Sequence, residues 1–293
     1  MDSPILNALT IDVEDYYHVS AFEGAVQRDR WDQYASRVVT STQRVLEVLA
    51  RHEVRATFFV LGWVAERYPQ LVREIDVAGH EIGSHGYWHR LIYNQSADEF
   101  REDLRQSRDA LEEVTGRAVT AYRAPSFSIT RASQWALEIL VEEGFLVDSS
   151  VFPVYHDRYG IPGAEPRIHP ISTPAGTLWE FPPAVVKFAG LTLPIGGGGY
   201  LRLYPLWLTC RGLARINRRE GSPFLVYMHP WEVDPGQPRL DVGSVVSRFR
   251  HYVNLSRTER KLEGLLSWFR FGSLSEVVQS RQSSGALAED VTS

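Results

Sequence analysis

The strongest constraint on how this chain can fold is a regular alternation of short apolar runs with amphipathic segments. The run ILNALTIDV (5–13) reads as a buried strand, and SRVVTSTQRVLEVLARHE (36–53) carries apolar residues at helical spacing. RATFFVLG (55–62) is a second strand, VAERYPQLVREIDVAG (64–79) a second helix and HEIGSH (80–85) a third strand. SADEFREDLRQSRDALEEVTG (96–116) is a polar-faced helix closed by Gly116, and VTAYRAPSFS (119–128) a strand entering a loop. SQWALEILVEEG (133–144) is a helix, FLVDSS (145–150) a strand and FLVYMHPWEV (224–233) a late strand. Strand followed by helix, several times over, predicts a parallel sheet covered by helices, either open or closed into a barrel.

The stretch 151–221 breaks this rhythm. It is rich in Pro and Gly and reads as long loops and hairpins inserted at one end of the sheet, where substrate loops gather. Residues 238–271 read as a loop and a terminal helix. The small polar residues from Gln279 onward read as a frayed tail, leaving 1–278 as one domain. IGGGGY (195–200) lacks the Lys-Ser/Thr of a phosphate-binding loop and reads as a tight or mobile turn. With 44% hydrophobic and 23% charged residues, a sizeable core is available. A formal charge of -5 and the lack of any polybasic run give no reason to expect nucleic acid or an anionic membrane as partner. The single cysteine, Cys210, excludes an internal disulfide and a cysteine-rich zinc site. The first residues show neither a basic leader nor a membrane-spanning stretch, so a cytoplasmic location is expected.

Chemistry-bearing residues cluster at strand ends. TIDVEDYYH places Asp12 and Glu14 two apart, on one face of a strand, with Asp15 directly after. Carboxylates buried there need a metal or an arginine as partner. HGYWH sets His85 and His89 four apart just past a strand. That spacing suits one shared cation if the segment is helical and means less in a loop. His80, at the strand's start, reads as structural. In YRAPSF, Arg123 can hold a carboxylate and Pro125 fixes the backbone so that the next N–H can face a substrate oxygen. Asp148 in VDSS and His229 in YMHPWE end two further strands, and a histidine opposite an acid can act as a general acid.

In that order, TIDVEDYYH, HEIGSHGYWH, YRAPSF, VDSS and LVYMHPWE resemble the five motifs of the polysaccharide deacetylase family, also called carbohydrate esterase family 4. The resemblance spans roughly 9–232. DVEDYYHVSAFEG and GGGGYLRLYP resemble the subgroup associated with bacterial exopolysaccharide and O-antigen assembly loci. The resemblance implies a distorted (β/α)7-type barrel and one divalent metal, zinc first, with Co2+, Ni2+ or Mn2+ as alternatives. It further implies Asp12 as general base, His85 and His89 as metal ligands, and Arg123 as the residue positioning the base. The Ser126 N–H matches the oxyanion donor, His229 the general acid and Asp148 the acid that tunes it. Tyr122, Pro125, Phe127 and Trp231 flank these positions as candidate substrate contacts. The family's usual second aspartate, a metal ligand, is replaced here by Val13. The third ligand is then Glu14 or Asp15. Strand alternation favours Glu14, and a bulge would bring Asp15 round.

The expected activity is removal of N-acetyl groups from an amino sugar of a bacterial glycan, or from its lipid- or nucleotide-linked precursor, with release of acetate. Two other readings compete with it. One is an amidohydrolase of cyclic ureides or imides on the same fold. The other is a carbohydrate-binding protein of polysaccharide assembly on an inactive scaffold, for which the change at Val13 is the only opening.

Overall fold

In the computed structural model, residues 5–156, 158–188 and 190–290 are described, with side chains as far as 283. The elements run β1 (Leu6–Val13), α1 (Val38–Arg51), β2 (Thr57–Val60), α2 (Gly62–Arg67), α3 (Pro69–Val77), β3 (Glu81–Ser84), α4 (Ala97–Thr115), β4 (Ala121–Tyr122), α5 (Trp135–Glu142) and β5 (Val147–Asp148). Two hairpins follow, β6 (His169–Thr173) with β7 (Gly176–Glu180), and β8 (Val185–Phe188) with β9 (Leu191–Pro194). The chain ends with α6 (Gly198–Leu203), α7 (Leu206–Glu220), β10 (Leu225–Met228), α8 (Val245–Tyr252), α9 (Leu255–Trp268), β11 (Arg270–Gly272) and α10 (Leu274–Asp290).

Strand order is β10-β1-β2-β3-β4-β5-β7-β6, with β11 pairing with the lower end of β1 on the edge opposite β10, below the start of β2. Every pair in this sheet is parallel except β6 with β7. β1 to β5, β7 and β10 thus form the seven-stranded wall of a distorted (β/α)7-type barrel. Alternation along each strand sorts side chains into two layers. Leu9, Ile11, Val13, Phe58, Val60, Tyr122, Leu178 and Met228 face the helices and pack with Val45, Leu104, Leu140 and Leu213. Ala8, Phe59, Ala121, Val147, Phe181, Leu225 and Tyr227 face the barrel interior, whose lower end is filled by Leu274, Val277 and Val278 of α10.

Local signals account for most boundaries. Pro69, at the first position of α3, splits the single helix expected over 64–79 into α2 and α3. Ser96 and Glu99 form a reciprocal cap on α4, and Gly116 ends it in the left-handed region at φ 66°. Two expectations need correction. The stretch 151–221 is not all loops and hairpins: α7 occupies fifteen residues of it, burying Thr209, Cys210, Leu213 and Ile216 along one stripe. The region 238–271 holds two helices and β11 rather than one helix. From Gln279 the chain continues as α10 to Asp290; residues 291–293 lie outside the described residues.

β7 and β10 do not pair, and the seam between them is filled by irregular backbone. The Ala184 N–H donates to Leu225 O at 3.0 Å, and the Tyr227 N–H to Gly196 O at 2.7 Å. Gly197 bridges to Tyr227 at φ 136°, and a Cβ there would overlap the Tyr227 carbonyl oxygen. The glycine run is therefore a packed seam of the barrel rather than a mobile loop over substrate. Gly197→Ala combines a forbidden φ with a backbone clash, and is expected to cost about 3 kcal/mol or more in a urea melt. A melt unchanged from the parent would overturn this account of the seam.

Candidate metal centre and catalytic site

The functional side chains gather at the carboxyl ends of β1, β3, β4 and β10. Glu14, His85 and His89 are all buried, and one ligand atom from each lies within 4.8 Å of the others. The histidine pair is not on a helix. His85 follows β3, and the loop Gly86-Tyr87-Trp88 is held by Asp103 of α4, which accepts the Tyr87 N–H at 2.7 Å and the Trp88 N–H at 3.1 Å. Arg28 donates to Trp88 O and His89 O from the other side. His89 itself sits at φ 50°, a strained backbone that this loop imposes.

The donor set fits a divalent cation. His85 Nδ1 lies 2.8 Å from Arg123 O, a bond that fixes the tautomer and leaves Nε2 with its lone pair toward the group. Burial pushes the His85 imidazole down to about 4, so it is neutral. Burial alone would raise Glu14, but His89, His229 and His85 around it hold the carboxylate well below the ordinary range. Glu14 Oε1 accepts the Trp231 Nε1–H at 3.1 Å. Its Oε2 is buried without a hydrogen-bond donor, 2.8 Å from His89 Nε2. An ionised carboxylate and two imidazoles grouped in this way could hold a cation between them.

Asp12 stands beside this group on the barrel-interior face. Arg123, fully buried, donates through Nη1 to Asp12 Oδ1 at 2.6 Å and to Thr10 Oγ1 at 2.7 Å. Its remaining donors reach Ser149 O and Ser149 Oγ. The guanidinium lies over Phe59, 4.4 Å from the ring centre, and near Phe127 at 5.3 Å. On the other side, His229 Nε2 is 3.9 Å from Asp12 Oδ2 and 3.7 Å from Glu14 Oε1. His229 Nδ1 is 2.7 Å from Glu232 Oε1, and Glu232 Oε2 accepts from Arg202 Nε at 2.7 Å. Burial would lower His229, but the Glu232 bond and the charges of Glu14, Glu232 and Asp12 raise it to about 9. Ser126 lies half-buried at the tip of the β4 loop at φ 53°, its Oγ donating to Ser20 Oγ at 2.9 Å.

Several expected residues are placed elsewhere. Asp15 is not with the ligand group. Its carboxylate accepts the N–H groups of Tyr16, Arg37 and Val38 and the Ser36 hydroxyl, tying the chain after β1 to the start of α1. Asp148 is not beside His229. Its side chain faces the helix layer, in register with Tyr122 and Glu180. Burial raises Asp148, and burial together with the charge of Asp148 raises Glu180 well above its ordinary value. Tyr122 points the same way, into the core against Phe100 and Phe145. Pro125 and Phe127 are buried, and Trp231 is sandwiched between His229 and His251. None of the four offers a sugar an open ring face; Trp231 and Phe127 support Glu14 and Arg123 instead. Sequence reasoning missed Ser149, Glu232 and Arg202. Glu232 had a signal, since it stands three residues after His229 in YMHPWE, the spacing at which a turn brings side chains together.

Residues 30–140 match the family described as Polysaccharide deacetylase, and residues 149–279 match a domain of unknown function, DUF3473. A peptidoglycan-N-acetylglucosamine deacetylase of Bacillus cereus is 36% identical over 98 residues, covering 33% of this chain and 36% of that protein. A chitooligosaccharide deacetylase of Azorhizobium caulinodans is 32% identical over 100 residues, covering 34% and 45%. The chain thus spans under half the length of these curated relatives. Among solved structures, a candidate polysaccharide deacetylase from Mycobacterium smegmatis superposes with a TM-score of 0.63 at 20% identity, over 97% of this chain and 93% of that one. The Puue allantoinase superposes at 0.59 and 15%, over 94% and 89%. At such identities these two speak for the fold. The comparisons support the polysaccharide deacetylase family for residues 30–140 of the chain.

Proposed function

We propose that this protein is a metal-dependent deacetylase that hydrolyses the N-acetyl group of an amino sugar in a bacterial glycan or its lipid- or nucleotide-linked precursor. The observation that carries the reading is the buried Glu14, His85 and His89 group, with the Arg123-held Asp12 on one side and the cationic His229 on the other. Glu14, His85 and His89 are the metal ligands, and zinc is the expected ion for two imidazoles and one carboxylate. Bound there, the ion supplies a Lewis acid that polarises the acetamide carbonyl and makes water more acidic.

The chain's own groups carry the proton traffic. Arg123 fixes Asp12 by a charge-assisted bond, so that its free oxygen can take the proton of the attacking water. As the water oxygen joins the acetyl carbon, the Ser126 N–H donates to the developing oxyanion. His229 carries its spare proton on Nε2, because Nδ1 is committed to Glu232. That proton passes to the sugar nitrogen as the C–N bond breaks, giving acetate and a free amine.

The test is acetate release from N-acetylated chitooligosaccharides, from peptidoglycan fragments and from nucleotide-linked N-acetylhexosamines. Cyclic ureides and imides serve as controls, and each assay is run before and after chelation and with zinc returned. Chelator-sensitive acetate release from an N-acetylated glycan is the expected result. Hydrolysis of the cyclic amides alone, or no hydrolysis with the ion demonstrably bound, would sink the proposal.

A further inference from the structure

We propose that α7 and α8 form a docking face for an anionic lipid bilayer, beside the mouth of the metal centre. The first observation is apolar exposure. On α8, Val245 is 73% exposed, Val246 57% and Phe249 59%; at the start of α7, Trp207 is 67% exposed and Leu208 42%. These are large side chains at helical spacing on outer faces, and nothing in the fold covers them. The second is charge. Residues 200–261 contain eleven Lys and Arg against five Asp and Glu, in a chain whose total is -5. No polybasic run reveals this, because the basic residues are spaced along helices. Arg211, Arg215 and Arg218 continue the exposed face that Trp207 and Leu208 begin, and Arg250 lies one residue past Phe249. No acid pairs with Arg211, Arg215, Arg218 or Arg250 among the described residues, whereas Arg248 pairs with Asp241.

The segment that leads into α7 is tied to the end of α8 through α6. Arg202, at the end of α6, donates to His251 O and Val253 O where α8 ends, and Asn254 Nδ2 donates back to Arg202 O. On its inner side α8 reaches the site: His251 stacks on Trp231 at 4.2 Å, and Trp231 donates to Glu14. The α8 surface that bears Val245, Val246 and Phe249 is therefore connected to Glu14 through His251 and Trp231. Apolar side chains that enter the headgroup boundary, with arginines lacking an acidic partner on the same helices, match an anionic bilayer. A protein partner of the ordinary kind would meet a core depleted of charge. Among the described residues no helix is long and apolar enough to cross a membrane, and surface docking requires none.

Co-sedimentation of the full chain with vesicles tests this without reference to the reaction. Phosphatidylcholine vesicles are compared with vesicles containing roughly a third phosphatidylglycerol, at low salt and at about 0.5 M salt. Sedimentation with the anionic vesicles, weakened by salt and absent with neutral ones, is expected. The triple change Trp207→Ser, Leu208→Ser, Phe249→Ser and the double change Arg211→Gln, Arg250→Gln should each weaken it about tenfold or more. Metal content should stay at the parent level, as should any acetate release from a soluble oligosaccharide. Should the triple variant fail to fold, the arginine variant, altered only at exposed side chains, still decides. The proposal is overturned if the parent stays in the supernatant with anionic vesicles at low salt. It is also overturned if both variants bind undiminished, or if size-exclusion shows the face consumed by pairing of two copies. Failure of the deacetylase assays would leave the vesicle result standing, and the reverse also holds.

Discussion

His85→Ala should leave the purified protein with almost none of the roughly one ion per chain expected of the parent, and should cut turnover by about a thousandfold or more. The argument is geometric. Three donors converge within 4.8 Å, and losing one leaves an imidazole and a carboxylate, too few to hold a cation against water. Glu14→Gln should behave alike, since the amide keeps the shape but not the charge. Asp15→Ala is the discriminating variant. Its carboxylate serves backbone N–H groups at the start of α1, so it should retain metal while losing about 3 kcal/mol of stability as those buried donors go unpaired. Elemental analysis and a urea melt on the three variants give the answer. Metal lost with Asp15 and kept with Glu14 would reverse the ligand choice.

That choice illustrates what the sequence could carry. Period-two alternation puts Asp12 and Glu14 on one side, and both do lie beside His229, 3.9 and 3.7 Å from its Nε2. The same rule, applied at VDSS, would have excluded Asp148. It shares its parity with Tyr122 across register, and Tyr122 lies in the helix-facing layer, whereas Ser149 faces inward and holds Arg123. The motif's order suggested a tuner for His229, but only the turn after β10 shows that Glu232 fills the place. α7 went unseen because the Pro- and Gly-rich sequence before it dominates the window, although its own Thr209, Leu213 and Ile216 repeat at helical spacing. The seam at Gly197 was illegible for another reason. A glycine run announces permitted backbone angles, and which backbone then approaches it is a tertiary fact.

The pH profile should identify what Glu232 does. As a general acid, His229 works only while protonated. With its folded value raised to about 9, the cation persists through neutral pH, and kcat/KM should fall on the alkaline side only as pH rises through about 9. Glu232→Gln removes the largest of the raising causes while keeping a side chain of the same shape against Arg202. The His229 value then drops toward the ordinary imidazole range. The alkaline limb should move down by one unit or more, and the rate at about pH 8 should fall roughly ten- to a hundredfold, with far less change at about pH 6. KM should change little, because Glu232 is fully buried behind His229 and does not face the mouth. Asp148→Asn gives the contrast: facing the helix layer, it should leave the alkaline limb where it is. A limb that moves with Asp148 and stays fixed with Glu232 would return the tuning role to the motif's own acid, and would mean that the Glu232–Arg202 pair serves only to hold the turn after β10.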